Sequence, residues 1–294
     1  MKLFEPHCVA LAGDWCGEGP VWYEEEQSLY WVDINRFLIH RLDAGGAVRT
    51  WLFDEPVTAL GLTVRAGTLV VALASRLIFW RAETDERQDQ GFRLPGYPAV
   101  RLNDGRPGPH GSFWAGSMRN NVAPDGTSLE AGGTDGALYR IDPDGSVSEW
   151  QRDIGIANTL AWSPDHTRFY FADTLCNAIY VYDYDGATGA IANRRPFFAG
   201  FERGLPDGSA MDSEGFLWNC RWGGGCVVRI APDGAIDRIV DMPARNITSC
   251  TFGGPGLRTL FVTSASLSAP AHRLAGGLFA FQTGIPGLPE YRFL

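Results

Sequence analysis

The sequence predicts an all-β fold, a six-bladed β-propeller forming one domain over residues 1–294. Three observations predict it. Six short apolar segments of one character recur along the chain, each has a companion segment shortly downstream, and no stretch sustains the 3.6-residue apolar period of a long helix. Composition agrees. Hydrophobic residues make up 45% and charged residues 20%, enough for a real core, and 36 Gly and 18 Pro without collagen periodicity suit many short strands joined by tight turns.

The recurring segments are Leu29–Asp33, Leu69–Leu73, Phe113–Ser117, Phe169–Asp173, Leu217–Arg221 and Leu260–Ser264, and their first residues lie 40, 44, 56, 48 and 43 positions apart. All are rich in aromatic or β-branched residues and follow turn-like clusters, as strands do. The companions are Ile39–Leu42, Leu77–Trp80, Ala137–Ile141, Ile179–Tyr182, Val227–Ile230 and Gly277–Phe281. Several run straight into turn chemistry, at Asp142–Gly145, Asp183–Gly186 and Ala231–Gly234, each introducing a further extended run. One such meander cannot bury both faces alone. Stacking six around an axis does so and removes free edges if the ring closes. Closure is expected to pair Cys8–Leu11 with strands near the C-terminus, such as Tyr291–Leu294. Two polar, irregular stretches interrupt the repeat: Arg119–Gly136, which produces the longest spacing, and Ser264–Gly276, which contains Pro270 and His272. Long loops on a rigid scaffold are common sites for substrate contacts.

Charge and composition exclude several functions. Net charge is −9, which disfavours nucleic acid and anionic membranes as partners, and no run of eighteen apolar residues exists to span a bilayer. Met1–Trp15 carries Glu5, Pro6 and His7 where a signal peptide would need an apolar run, so a cytoplasmic location is expected. Lys2 is the one lysine among 25 basic residues, leaving no interior lysine for a Schiff base or a Walker phosphate loop. The six cysteines form no C-x-x-C pair or zinc spacing and read as reduced and mostly buried.

A propeller binds ligands on its axis. Counting back ten or eleven positions from each marker strand lands on Glu18, Thr58, Asn103, Asn158, Asp207 and Ser249. Pseudo-symmetry brings such positions together, and carboxylates and amides converging on a partly dehydrated centre are costly unless a cation or a tight hydrogen-bond network compensates. Glu18, Asn158 and Asp207 offer oxygen only, which suits a hard divalent ion; the five histidines have no paired spacing, which disfavours a His-rich zinc site. Pro206-Asp207-Gly208 would also suit a hairpin turn, but Asp212–Gly215 already supplies the turn before Leu217.

At these residues the sequence resembles the SMP-30/gluconolactonase/LRE-like family, the group of regucalcin and bacterial sugar lactonases. The matching stretches are Gly17–Trp22, Arg101–Gly105, Trp114–Met118, Asn158–Asp165, Leu205–Gly208 and Cys250–Gly254. The resemblance implies a six-bladed propeller with one catalytic divalent metal in the axial channel, held by Glu18, Asn158 and Asp207, with Arg101 and Asn103 on the sugar hydroxyls. It departs at Asn121, where some relatives carry a substrate-binding glutamate; the amide keeps hydrogen bonding and removes a charge.

The function implied is hydrolysis of an aldono-lactone, such as gluconolactone, xylonolactone or arabinonolactone, to its sugar acid. Ca²⁺, Mg²⁺, Mn²⁺, Zn²⁺ or Fe²⁺ would polarise the carbonyl, with Asp207 as general base or a metal-bound water needing little help. The small-molecule lactone is the partner implied, and no obligate protein partner is inferred. A metal-dependent phosphotriesterase and a non-catalytic calcium-binding propeller are the alternatives. No Gly-x-Ser-x-Gly elbow supports a serine esterase.

Overall fold

The computed structural model of the protein describes residues 2–269 and 271–294; Pro270 in the second irregular stretch lies outside the described residues. Six antiparallel sheets form the blades. Their innermost strands are Gly17–Tyr23, Val57–Thr63, Val100–Pro107, Ala157–Trp162, Leu205–Met211 and Asn246–Gly253, and each packs against the innermost strands of its two neighbours until the ring closes between the sixth and the first. Every recurring marker segment is the second strand of a blade, and every companion is the third. Among the described residues there is no α-helix, only two three-residue 3₁₀ turns.

The core is divided as the repeat requires. Six apolar clusters lie between adjacent blades, one per interface. Trp31, Trp80, Trp114 and Trp218 are wholly buried there, large enough to reach across a blade gap. Trp80 shows the packing: its ring meets Tyr30, Trp51 and Phe53 edge-on at centroid separations of 6.2, 5.1 and 5.7 Å. Of the cysteines, Cys220, Cys226 and Cys250 are buried, Cys176 is exposed, and all six are free.

Closure differs from the sequence expectation in one respect. His7–Ala10 does complete the last blade as its outer strand, but it pairs with Leu278–Gln282. The C-terminal residues pair elsewhere: Arg292–Phe293 lies parallel to Val57–Thr63, adding a fifth strand to the second blade. The physical reason is the sequence Gly284-Ile-Pro-Gly-Leu-Pro289. Two prolines lack ladder donors, so this segment cannot continue a strand. It crosses the end of the ring instead, anchored by Ser213 N donating to Pro286 O (2.9 Å), Leu288 N to Met211 O (3.2 Å) and Leu294 N to Gly111 O (3.1 Å).

Candidate active site in the axial channel

All six inner strands break register near their start, between Glu18 and Val21, Val57 and Ala59, Leu102 and Gly105, Asn158 and Ala161, Pro206 and Ser209, and Ile247 and Cys250. Such bulges twist a strand and re-aim its side chains. In the first and fourth blades the residue after the site residue has a left-handed backbone, Gly19 at φ 49° and Thr159 at φ 55°. A β-branched residue there is strained and must be held. Thr159 Oγ1 is held, donating to Asp207 O (2.5 Å) and lying 2.9 Å from Ser209 Oγ. Two blades are thereby cross-braced at the point where they deliver Asn158 and Asp207.

The six site residues named from sequence converge. Glu18, Arg101, Asn103, Asn121, Asn158 and Asp207 line one cavity of about 410 Å³, within the size range of small-molecule sites. Both irregular stretches reach it, through Ser128–Ala131 of the first and Leu267 and Ser268 of the second. Asn35 Nδ2 donates to Gly126 O at 2.8 Å and ties the longer loop to the first blade. His272 is exposed and outside the lining.

Two members of the counted ring do not take part. Thr58 is buried and turns its hydroxyl back to donate to Ala72 O (3.2 Å). In the sixth blade the register puts Ile247 in the place of Glu18; Ser249 lies within the register break and outside the cavity lining, and its neighbour Thr248 donates Oγ1 to Gly17 O (2.5 Å). Pro206-Asp207-Gly208 lies within the strand Leu205–Met211, while the turn falls at Asp212–Gly215, where Gly215 N donates to Asp212 O (3.0 Å). Glycine is needed at 208 because a Cβ there would overlap Ser249.

Two acids, a guanidinium and three amides make up this wall. Asn103 Nδ2 donates to Asn158 Oδ1 (3.1 Å) and to Ala157 O (2.9 Å), and Asn158 Nδ2 donates to Thr174 Oγ1 (2.9 Å). Thr174 Oγ1 donates onward to Pro206 O (2.7 Å). These bonds fix the Asn158 amide with one oxygen lone pair still to satisfy. Glu18 and Asp207 are both buried and close enough to shift one another's titration. Burial, then the Asp104 charge, pushes Glu18 up to about 8, while the Gly19 N–H, Asp207 and Arg101 oppose the rise. Burial and then Glu18 hold Asp207 well above the ordinary carboxylate range. Asp104, next along the third inner strand, is raised by burial as well. Sequence reasoning missed Asp104 and Thr174; each adjoins a marked feature, Asn103 and the marker strand ending at Asp173, and adjacency was the available signal.

The donor set fits a hard divalent cation. Among the described residues no group of three His, Cys, Asp or Glu side chains is arranged to hold a metal ion. Two buried carboxyls and an amide oxygen line one cavity here, and burial with mutual charge raises both acids, a cost that a bound cation would relieve.

A propeller with an oxygen-rich axial cavity at one end defines the class, and comparison narrows it. The signature of the SMP-30/Gluconolactonase/LRE-like region matches residues 16–266. The chain is 35% identical to the pentonolactonase of Haloferax volcanii, with 94% of each chain covered, and 35% identical to the 6-deoxy-6-sulfogluconolactonase of Pseudomonas putida, with 97% of each covered. Among solved structures it resembles the calcium-binding protein regucalcin from Agrobacterium tumefaciens, with a TM-score of 0.89, 27% identity, and 99% and 98% of the two chains covered. The chain belongs to the SMP-30/gluconolactonase/LRE-like family.

Proposed function

We propose that this protein hydrolyses a sugar lactone to the corresponding sugar acid, using a divalent cation held by Glu18, Asn158 and Asp207. The observation that carries the reading is that these three share one cavity wall with Arg101, Asn103 and Asn121. Full-length similarity to two lactonases supports the chemistry. When bound, the cation supplies Lewis-acid polarisation of the lactone carbonyl.

The chain's own residues do the rest. Asn103 and Arg101 orient the sugar from the third blade. Asp207, braced through its backbone oxygen by Thr159 and by Asn219 Nδ2 (3.2 Å), has a carboxylate placed to take the proton of the attacking water. Glu18 lies against it and limits where that proton can rest. The apolar part of the lining, including Met118, Ile156 and Leu205, reduces competing water around the reacting bond.

Non-catalytic calcium binding is the second reading, favoured by the description of the Agrobacterium structure. Acid release from gluconolactone, xylonolactone and arabinonolactone, measured with chelated protein and after reloading with Ca²⁺, Mg²⁺, Mn²⁺, Zn²⁺ or Fe²⁺, separates the two. Activity restored by a metal is expected, with metal content and activity both lost in Asn158→Ala and Asp207→Ala. Calcium binding without turnover on any lactone would favour the second reading.

A further inference from the structure

Arg101 is an unusual charge for its position. It is only 4% exposed, yet no carboxylate among the described residues pairs with it. Its acceptors are all neutral: Nε and Nη2 donate to Asn121 Oδ1 at 3.0 and 2.7 Å, and Nη1 donates to Leu102 O at 2.8 Å and Asn103 Oδ1 at 2.7 Å. Elsewhere a buried guanidinium meets acids, as Arg229 does with Asp212 (2.8 Å) and Glu214 (2.7 Å). Arg221 also lacks an acid, but it faces five neutral oxygens, braces the Phe201–Gly204 segment and lies outside the cavity lining.

The uncommitted groups around Arg101 point to a ligand. Four of its five N–H donors are taken, leaving one on Nη2, and Asn121 Nδ2 has no recorded partner. Both are donors. Glu18 and Asp207 would spend their charge on the cation, and Glu130, the other acid of the lining, is exposed on the loop and screened by solvent. A buried positive charge without a counter-ion is costly unless a ligand supplies one. Position says which part of the ligand: the Arg101 fork reaches Asn121 on the irregular loop, whereas Asn103 reaches Asn158 of the proposed metal set, so Arg101 lies on the side of the cavity away from the cation.

Resting on the lactonase reading, we infer that the preferred substrate is a lactone carrying an anionic substituent, a carboxylate or a sulfonate, at the end remote from the reacting carbonyl, paired there with Arg101 and Asn121 Nδ2. Guanidinium recognises both anions through charge-assisted hydrogen bonds.

The test compares kcat/KM on a neutral hexonolactone with two hexonolactones of matched size, one ending in a carboxylate and one in a sulfonate, using metal-loaded wild type and Asn121→Asp. That change is isosteric, keeps an acceptor for Arg101 and places a negative charge where the anion would sit. Wild type should favour at least one anionic lactone by roughly tenfold to 100-fold, the range of a hydrogen bond to a charged group. Asn121→Asp should lose at least tenfold of that ratio. Calorimetry should show the matching sugar diacid or sulfonated acid binding wild type more tightly than the neutral lactone's acid, a readout independent of turnover. Preference for both anions supports general anion recognition, and preference for one supports that source. Equal or better use of the neutral lactone by wild type, or an unchanged ratio in Asn121→Asp, would overturn this inference and leave lactone hydrolysis standing. Failure to hydrolyse any lactone would remove both.

Discussion

Replacing Glu18 by glutamine should make the cation-free protein more stable while removing its capacity to bind metal. Glu18 titrates near 8 in the folded chain against an ordinary value of 4.5, chiefly because it is buried. The unfolded chain gives up this proton near 4.5 and the folded chain near 8, so unfolding releases a proton between those values. Stability therefore falls as pH rises across that window. At about 1.4 kcal/mol per unit, the loss grows to the order of several kcal/mol at pH 8, shared between Glu18 and the adjacent Asp207, and is nearly gone at pH 4.5. Glutamine keeps the acceptor that Gly19 N–H uses (2.9 Å) and has no proton to lose. For a chain of this size about 2 °C accompanies each kcal/mol, so Glu18→Gln should melt roughly 5–10 °C above wild type at pH 8 in chelator and converge with it near pH 4.5. Saturating metal should reverse the order, because wild type alone gains the binding energy. Thermal melts from pH 4.5 to 8, with and without metal, decide the matter. Parallel profiles for the two proteins in chelator would refute the electrostatic account of the site.

Three further outcomes follow from the geometry. Arg101→Ala should lower kcat/KM by roughly 10–1,000-fold with metal content unchanged, because Arg101 is proposed to bind the substrate and hydrogen-bonds only neutral oxygens, none of them on Glu18 or Asp207; loss of metal would show the roles misassigned. Gly116→Ala should cut metal affinity without touching a ligand, since a Cβ there would overlap the side chain of Ala157, the residue before Asn158, and titration calorimetry would detect it. Trp80→Ala should cost about 3–5 kcal/mol of stability, the usual range for deleting a buried aromatic, measured by denaturant unfolding; a smaller loss would mean the first and second blades close over the gap.

The fold was legible because a propeller repeats, and what repeats can be counted. Marker and companion strands are set by local pattern, and both appear in the structure at those residues. Closure was only half legible. Cys8–Leu11 was correctly sent to the last blade, but the partner of Arg292–Phe293 depends on where Pro286 and Pro289 steer the chain, which is tertiary information. Counting also reached four residues of the cavity lining, Glu18, Asn103, Asn158 and Asp207, within a limit set by the bulges. A bulge adds a residue that no spacing reveals, so the count reached Ser249, inside the break, where the ladder puts Ile247 in the place of Glu18. It likewise could not distinguish Thr58, whose hydroxyl is satisfied by its own sheet, from Asn158, whose amide is held out toward the axis. The fork of Arg101 on Asn121 was invisible because it joins a strand to a loop twenty residues on.

What separates the four productive ring positions from the other two is the cost of being there. A threonine that donates to a backbone carbonyl asks nothing further of its surroundings, and the sixth and second blades end their account with that bond. Glu18, Asp207 and Asp104 gather in one channel whose buried cation side chain, Arg101, is committed to neutral oxygens. Packing alone would replace such acids with residues that close the axis at no electrostatic expense. Thr159 adds backbone strain at the same level of the channel. Buried acids and a guanidinium without an acid partner both become less costly if the channel holds a cation and an anionic ligand, as proposed. The site is thus recognisable as the place where the chain departs from the most stable version of its own fold.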